Sequence, residues 1–161
     1  MCKFDEQELL NETAKRLYRL PQLLFRIKYS RAELKELKSA DFDMSKLRKN
    51  ANSFVSLIKS GMRLSPMDAH YAQIELLEER IRIDTHEVSI LSRALKSIKH
   101  DKYYGAIYYK FFKNCPDDEI AKKLTCNPST LRRNRARLLI QLINVLYGVP
   151  MDIHKKRKGS K

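Results

Sequence analysis

From Met67 to Ile98 the chain places Met67, His70, Ile74, Leu77, Ile81, Asp84, Val88, Leu91, Leu95 and Ile98 on alternating three- and four-residue steps. Eight of these ten positions are apolar. The spacing predicts a single helix of about 33 residues, roughly 50 Å long. Ser65-Pro66-Met67-Asp68 marks its start with a hydroxyl cap, a proline at the first helical position and an acid in the first turn. No small globular core needs so long a straight face, so the stripe calls for a partner helix. That partner is the N-terminal helix folded back, the same helix of a second chain, or both. Ile74, Leu77, Ile81, Val88, Leu91 and Leu95 are therefore the candidate dimer or assembly residues. His70 and Asp84 interrupt the seam, either as register or pH-sensitive devices or as members of a frayed, solvent-open layer.

The first third carries a similar seam of Leu10, Leu17, Leu20, Leu24, Ile27 and Leu34, with Thr13 and Arg31 in the gaps. Pro21 lacks an amide hydrogen and crowds the carbonyl of Leu17, which predicts a kink or two helices meeting at Leu20–Pro21. Periodicity weakens between residues 39 and 64, the expected linker, with room for one amphipathic turn at Phe54, Leu57 and Ile58. Only 4 Gly and 5 Pro in 161 residues argue against a turn-rich β-sandwich. The expected fold is all-α: a long N-terminal helical hairpin or coiled coil followed by a helix-turn-helix domain. Its expected divisions are an assembly segment at 1–99, a second helical domain at 100–149 and a basic disordered tail at 150–161.

The formal net charge is +14, and it is unevenly spread. Residues 1–100 hold 19 basic and 14 acidic side chains, whereas residues 101–161 hold 14 and 5. The final third is thus the expected contact for a polyanion. A hydrophobic fraction of 43% excludes a wholly disordered chain. Acids near the N-terminus do not suit a signal peptide, and the stretch Leu138–Val149 falls short of a membrane span, so a soluble protein of a cell interior is expected. Cys2, Cys115 and Cys126 form no metal or disulfide spacing, and the four histidines are scattered. No phosphate loop, HExxH, GxSxG or paired carboxylate motif occurs. Neither catalysis nor a cofactor nor a metal is expected.

Asp101 can cap a third helix bearing Tyr103, Tyr104, Ile107, Tyr108, Phe111 and Phe112. Aromatics at i, i+4 and i+8 predict a core face, with Tyr104 or Tyr109 left to reach solvent. Pro116 and Asp117, Asp118 and Glu119 then open a short helix whose inward residues are Ile120 and Leu124. Ala121 is small where helices cross closely. Thr125-Cys126-Asn127 breaks the chain, and Asn127 caps a longer helix, 128–146, with Pro128 at its first position. Short helix, turn and basic helix make a helix-turn-helix. Around the longer helix, Leu131, Leu138, Leu142 and Val145 line one side, while Ser129, Arg132, Arg133, Ala136 and Arg137 cover the other. That basic side contains no acid, and arginine forks can read guanine edges or clamp phosphates. Arg135 lies nearer the apolar side, where the Asp117–Glu119 cluster can pair it.

The stretch from about Tyr103 to Leu146, with its aromatic-rich helix, EIAKKL, turn and Arg135-Ala136-Arg137, resembles region 4 of bacterial sigma factors. With its long helical N-terminal segment the whole chain resembles phage-encoded ArpU/RinA-type transcriptional regulators. The resemblance implies that Ser129, Arg132 and Arg133 face bases, and that Asn127, Thr130 and Arg137 touch phosphates. It also implies a bacterial host cytoplasm. Two positions depart from the pattern: Thr125 stands where the turn usually has Gly, and Asn134 where an apolar residue is expected. In the tail, Lys155, Lys156, Arg157 and Lys158 either follow the DNA backbone or merely solubilise the chain.

These features together predict a sequence-specific, double-stranded-DNA-binding transcriptional regulator acting as a homodimer, with host RNA polymerase a further candidate partner. A phage assembly or packaging protein such as a terminase small subunit is the main rival. A nonspecific nucleoid or RNA-binding protein is a third class.

Overall fold

The structure is a computed structural model describing residues 6–39 and 65–148. The expected linker at 39–64, with Phe54, Leu57 and Ile58, and the tail carrying Lys155–Lys158 lie outside these residues, Ser39 excepted. The described residues form helices and turns with no strand, as the all-α expectation required. Helix α1 is Glu6–Ser39 and α2 is Pro66–Ile98. A short α3 (Tyr104–Ile107) leads directly into a π-helical turn, Tyr108–Phe112. Helices α4 (Asp117–Lys123) and α5 (Pro128–Tyr147) complete the chain. No helix among the described residues is long and apolar enough to cross a membrane.

Helix α2 has the length its spacing predicts, 33 residues. At its start the Ser65 hydroxyl accepts from the Asp68 amide at 3.1 Å and donates to the Asp68 carboxylate at 2.6 Å. This satisfies one of the orphan donors of a helix N-terminus. Helix α1 differs from expectation at two points. It passes through Pro21 as one helix rather than two. Leu17, Leu20 and Leu23 are all buried around the proline, and this packing outweighs the one missing backbone bond. Its buried line also runs through Leu23 and Ser30, whereas Leu24 is 51% exposed and Arg31 lies outside. The buried Leu9, Leu23 and Ser30 and the buried Thr13, Leu20 and Ile27 keep the seven-residue spacing, with the first series one position N-terminal to the expected one.

The packing divides into two compact units. Among the described residues, one comprises 6–23 and 87–148, and the other 24–39 and 65–86. The division expected near residue 99 therefore falls inside the first unit. The reason is a shared core: Leu17 and Leu20 of α1 and Leu91, Ala94, Leu95 and Ile98 of α2 pack with Ile107, Phe111, Leu138 and Leu142. Each buried leucine or isoleucine contributes roughly 1.5–3 kcal/mol. Arg16 stitches this core at its edge. It donates to both Glu87 oxygens at 2.7 and 2.9 Å and to the Tyr147 hydroxyl at 3.2 Å, tying α1, α2 and α5 together. Those bonds hold the guanidinium pKa above its already high ordinary value, against the opposing effect of burial.

In the second unit Ile27, Ser30, Ala69, Leu77 and Asp84 are buried. Asp84 does not sit in an open layer. It is 4% exposed and accepts two bonds from Arg26 at 2.5 and 2.6 Å. Lys38 and Glu78 make a second, exposed pair, which fixes α1 and α2 as antiparallel within this unit. His70 is half-buried, and its Nδ1 has no hydrogen-bond partner among the described residues.

Candidate nucleic-acid interface

Acids in the first turn of α4 face its positive dipole end, and Lys122 and Lys123 lie in its last turn. Ile120 and Ala121 are buried with Ala106 of α3 and Leu131 of α5 in a second, smaller core. The chain leaves α4 through a Schellman turn. The Cys126 amide donates to the Ala121 carbonyl at 3.0 Å, and the Thr125 amide donates to the Lys122 carbonyl at 3.2 Å. Thr125 sits at φ 48°, the left-handed region that glycine would occupy without strain. This is the position where the helix-turn-helix pattern has glycine. Gly105 allows the close approach of α3, since a Cβ there would stand 2.9 Å from a Leu124 methyl.

Asn127 is the N-cap of α5 in extended conformation, but its side chain makes no capping bond. This differs from the expectation, because only its carbonyl is engaged, accepting from the Leu131 amide at 2.9 Å. Asn127 and Thr130, the expected phosphate contacts, come together at an open cavity of about 790 Å³, across from Asp118 and Lys122. At the far end, Gly148 closes α5 at φ 64°.

Leu131, Leu138 and Leu142 are fully buried, as their spacing required. The fourth expected inner residue, Val145, is 53% exposed, and Ile143 takes its place inside. The helix rotates its buried stripe toward Ile143 as it meets the larger core. On the outside, Ser129, Arg132, Arg133 and Ala136 are all exposed. Arg133 has no ion-pair partner among the described residues, and Arg132 lies 3.8 Å from Asp117 with its side chain 68% exposed. No acid occurs anywhere along α5.

The remaining two arginines are held within the chain. Arg135 grips Asp117 through two bonds at 2.8 and 2.9 Å, the pairing its position predicts. Lys110 reaches the same carboxylate at 3.0 Å. The Arg135 bonds, opposed by partial burial and reinforced by Lys110, hold the Asp117 carboxyl far below the usual carboxylate range. Arg137 departs from its expected place on the outer side touching phosphate. It is half-buried and donates to Asp101 at 2.8 Å. Asp101 also accepts from the Tyr103 amide at 2.8 Å, so it braces a turn rather than capping α3 directly. Burial alone would raise the Asp101 pKa, but these two bonds lower it on balance. The Asp101–Arg137 and Lys110–Asp117 pairs have no signal in the sequence. Asn134 satisfies its amide on the Thr130 carbonyl at 2.9 Å, which explains how a polar residue is accommodated where the pattern has an apolar one.

The aromatic helix keeps its expected core face at Tyr103, Tyr104, Ile107, Phe111 and Phe112 and departs from it at Tyr108. Ile107 and Phe111 are buried, with Tyr103 packed beside them. Tyr104, Tyr108 and Phe112 form a stacked ladder with centroids 6.4 and 5.7 Å apart. Tyr108, not Tyr104 or Tyr109, is the exposed ring. The candidate assembly residues divide between the units. Leu91 and Leu95 are buried, and Val88 is packed, in the core of a single chain. Leu77 is buried in the other unit, with Ile74 and Ile81 half-buried. No family model, curated protein or solved structure matches this chain.

Proposed function

We propose that the chain is a sequence-specific, double-stranded-DNA-binding transcriptional regulator that reads the major groove with α5. One observation carries this reading. Ser129, Arg132, Arg133 and Ala136 share the outer side of an acid-free helix whose opposite side is anchored in two cores. A solvated helix face ordinarily mixes acids with its bases. Small Ser129 and Ala136 let the backbone approach base edges, and the two exposed forks supply bidentate donors. Asn127 and Thr130, beside Lys122, are placed to receive a phosphate at the start of the helix. This is a binding protein rather than an enzyme. The resemblance to phage ArpU/RinA-type regulators supplies the regulatory role, the bacterial setting, the homodimer and the polymerase contact. A second copy has to dock on a face other than Leu91 and Leu95.

The test is selection of a duplex from a random pool by the full chain, followed by titration of variants. Arg132→Ala and Arg133→Ala should each weaken the selected site by about 1–3 kcal/mol and relax the preference at one or two base pairs. Unchanged affinity for the selected duplex in both variants would sink the assignment. The packaging reading makes a different prediction for the mass in solution: a large ring rather than a dimer.

A further inference from the structure

The ion pair between Arg137 and Asp101 has a geometric consequence. Ser129, Arg133 and Arg137 follow one another at intervals of four along α5, so each lies about 5–6 Å from the next. Asp101 reaches this line at its third member, at 2.8 Å. The turn between α2 and α3 is thereby fixed beside the C-terminal end of the outer face. That turn is basic. Lys99 and Lys102 flank it, His100 is exposed between them, and Lys96 is exposed one helical turn earlier. Its one acid, Asp101, is consumed by Arg137 and the Tyr103 amide. Lys102 stands 5.8 Å from the centre of the Tyr103 ring, which steers its stem without neutralising its charge.

We infer that the Lys99–Lys102 turn is a phosphate-binding clamp for the duplex that α5 reads, with Asp101 as its positioning residue. This inference rests on the DNA-binding reading above and extends it to a turn outside the two helices of the motif. A helix inserted in a major groove is bordered by phosphates on either side. The site size follows: Asn127, Thr130 and Lys122 hold one end of the reading helix, and the turn holds the other. Asp101 does two things there. It holds Arg137 within the chain, and it fixes the turn that carries the exposed Lys99 and Lys102 beside the outer face. The plain alternative is that Lys96 and Lys99 serve only the negative end of the α2 dipole.

The experiment measures affinity against salt for the full chain on two probes, the duplex selected by the wild type and the random-sequence pool. The variants are Lys99→Ala/Lys102→Ala and, as a charge-matched control in the other unit, Lys28→Ala/Lys35→Ala. The clamp predicts that the first variant weakens both probes by the same factor. It also predicts a salt slope shallower by about 2, near 0.9 for each phosphate no longer neutralised. The control should leave the slope unchanged. A lowered melting temperature with an unchanged slope would assign the lysines to the helix dipole and overturn the clamp. Equal slope changes in both variants would reduce the effect to total charge and overturn it as well. Wild-type chain that binds neither probe defeats the DNA reading itself; wild-type binding with an unaltered double variant defeats the clamp alone.

Discussion

Four arginines lie within six residues of α5, and the chain uses them in two opposite ways. Arg132 and Arg133 project from the outer face, while Arg135 and Arg137 turn back onto Asp117 and Asp101. The side chains of the inner pair are 17% and 31% exposed; that of Arg132 is 68% exposed. Residue type therefore says little about role here. What separates the pairs is the angle around the helix, combined with a carboxylate delivered from another element. Inside, a bidentate arginine fork gains from partial desolvation and a fixed partner. Outside, a fork that is not tightly held keeps its donors for something that is not part of the chain.

Removing the inner carboxylate should break the contrast most strongly. Asp117→Ala leaves Arg135 and Lys110 partly buried without their counterion, and should destabilise the fold by about 2–3 kcal/mol in urea denaturation. The same carboxylate predicts a pH dependence. Its folded pKa is depressed, so its contribution is fully present above the unfolded value, near pH 4, and is lost as the pH falls further. The wild type should therefore lose stability through that acid range more steeply than Asp117→Ala. An identical acid limb in the two proteins would show that Asp117 is not the group responsible.

On the outer face the expected pattern is reversed. Arg132→Ala and Arg133→Ala, costly for the proposed DNA contact, should change folding stability by no more than about 0.5 kcal/mol. If either destabilised the chain as much as Asp117→Ala, the two faces would not be distinct. Arg137 tests the border between them. Arg137→Ala should cost about 1 kcal/mol of stability, the scale of one half-buried charge-assisted bond, measured by the same denaturation. A smaller stability change paired with a large drop in DNA affinity would move Arg137 to the outer group. The smallest effect concerns the turn that aims the helix. Thr125→Gly should raise stability by about 0.5–1 kcal/mol, as relief of left-handed strain slightly exceeds glycine's entropic cost.

Local signals make much of this readable from the chain alone. The start and length of α2, the short helix and the burial of Leu131, Leu138 and Leu142 follow from spacing and caps, whereas the left-handed Thr125 stands out only as a departure from the glycine of the resembled pattern. The Arg135–Asp117 pair is legible because both residues belong to adjoining helices of one motif. Other features depend on where distant elements come to lie. Asp101 and Arg137 are 36 positions apart, and Arg16 and Tyr147 are 131 apart. Nothing local in either segment names its partner. Leu23 rather than Leu24 is buried because of the side of α1 that its neighbours cover, and two adjacent leucines give no local signal for that choice. Tyr108 alone leaves the expected aromatic face, at the start of the π-helical turn Tyr108–Phe112, where a fixed angle per residue no longer holds.

Helix α5 is anchored unequally along its length. Leu131 belongs to the small core with Ala106, Ile120 and Ala121, whereas Leu138 and Leu142 belong to the large one. Local opening free energy scales with buried apolar contact, so the first turns of α5 are expected to open more readily than its Leu138–Leu142 end. The end that carries Ser129 and Arg132 can then loosen and re-form many times while Leu142 stays in place. For the proposed DNA contact, this would place the exposed arginines on the less firmly anchored end of the helix.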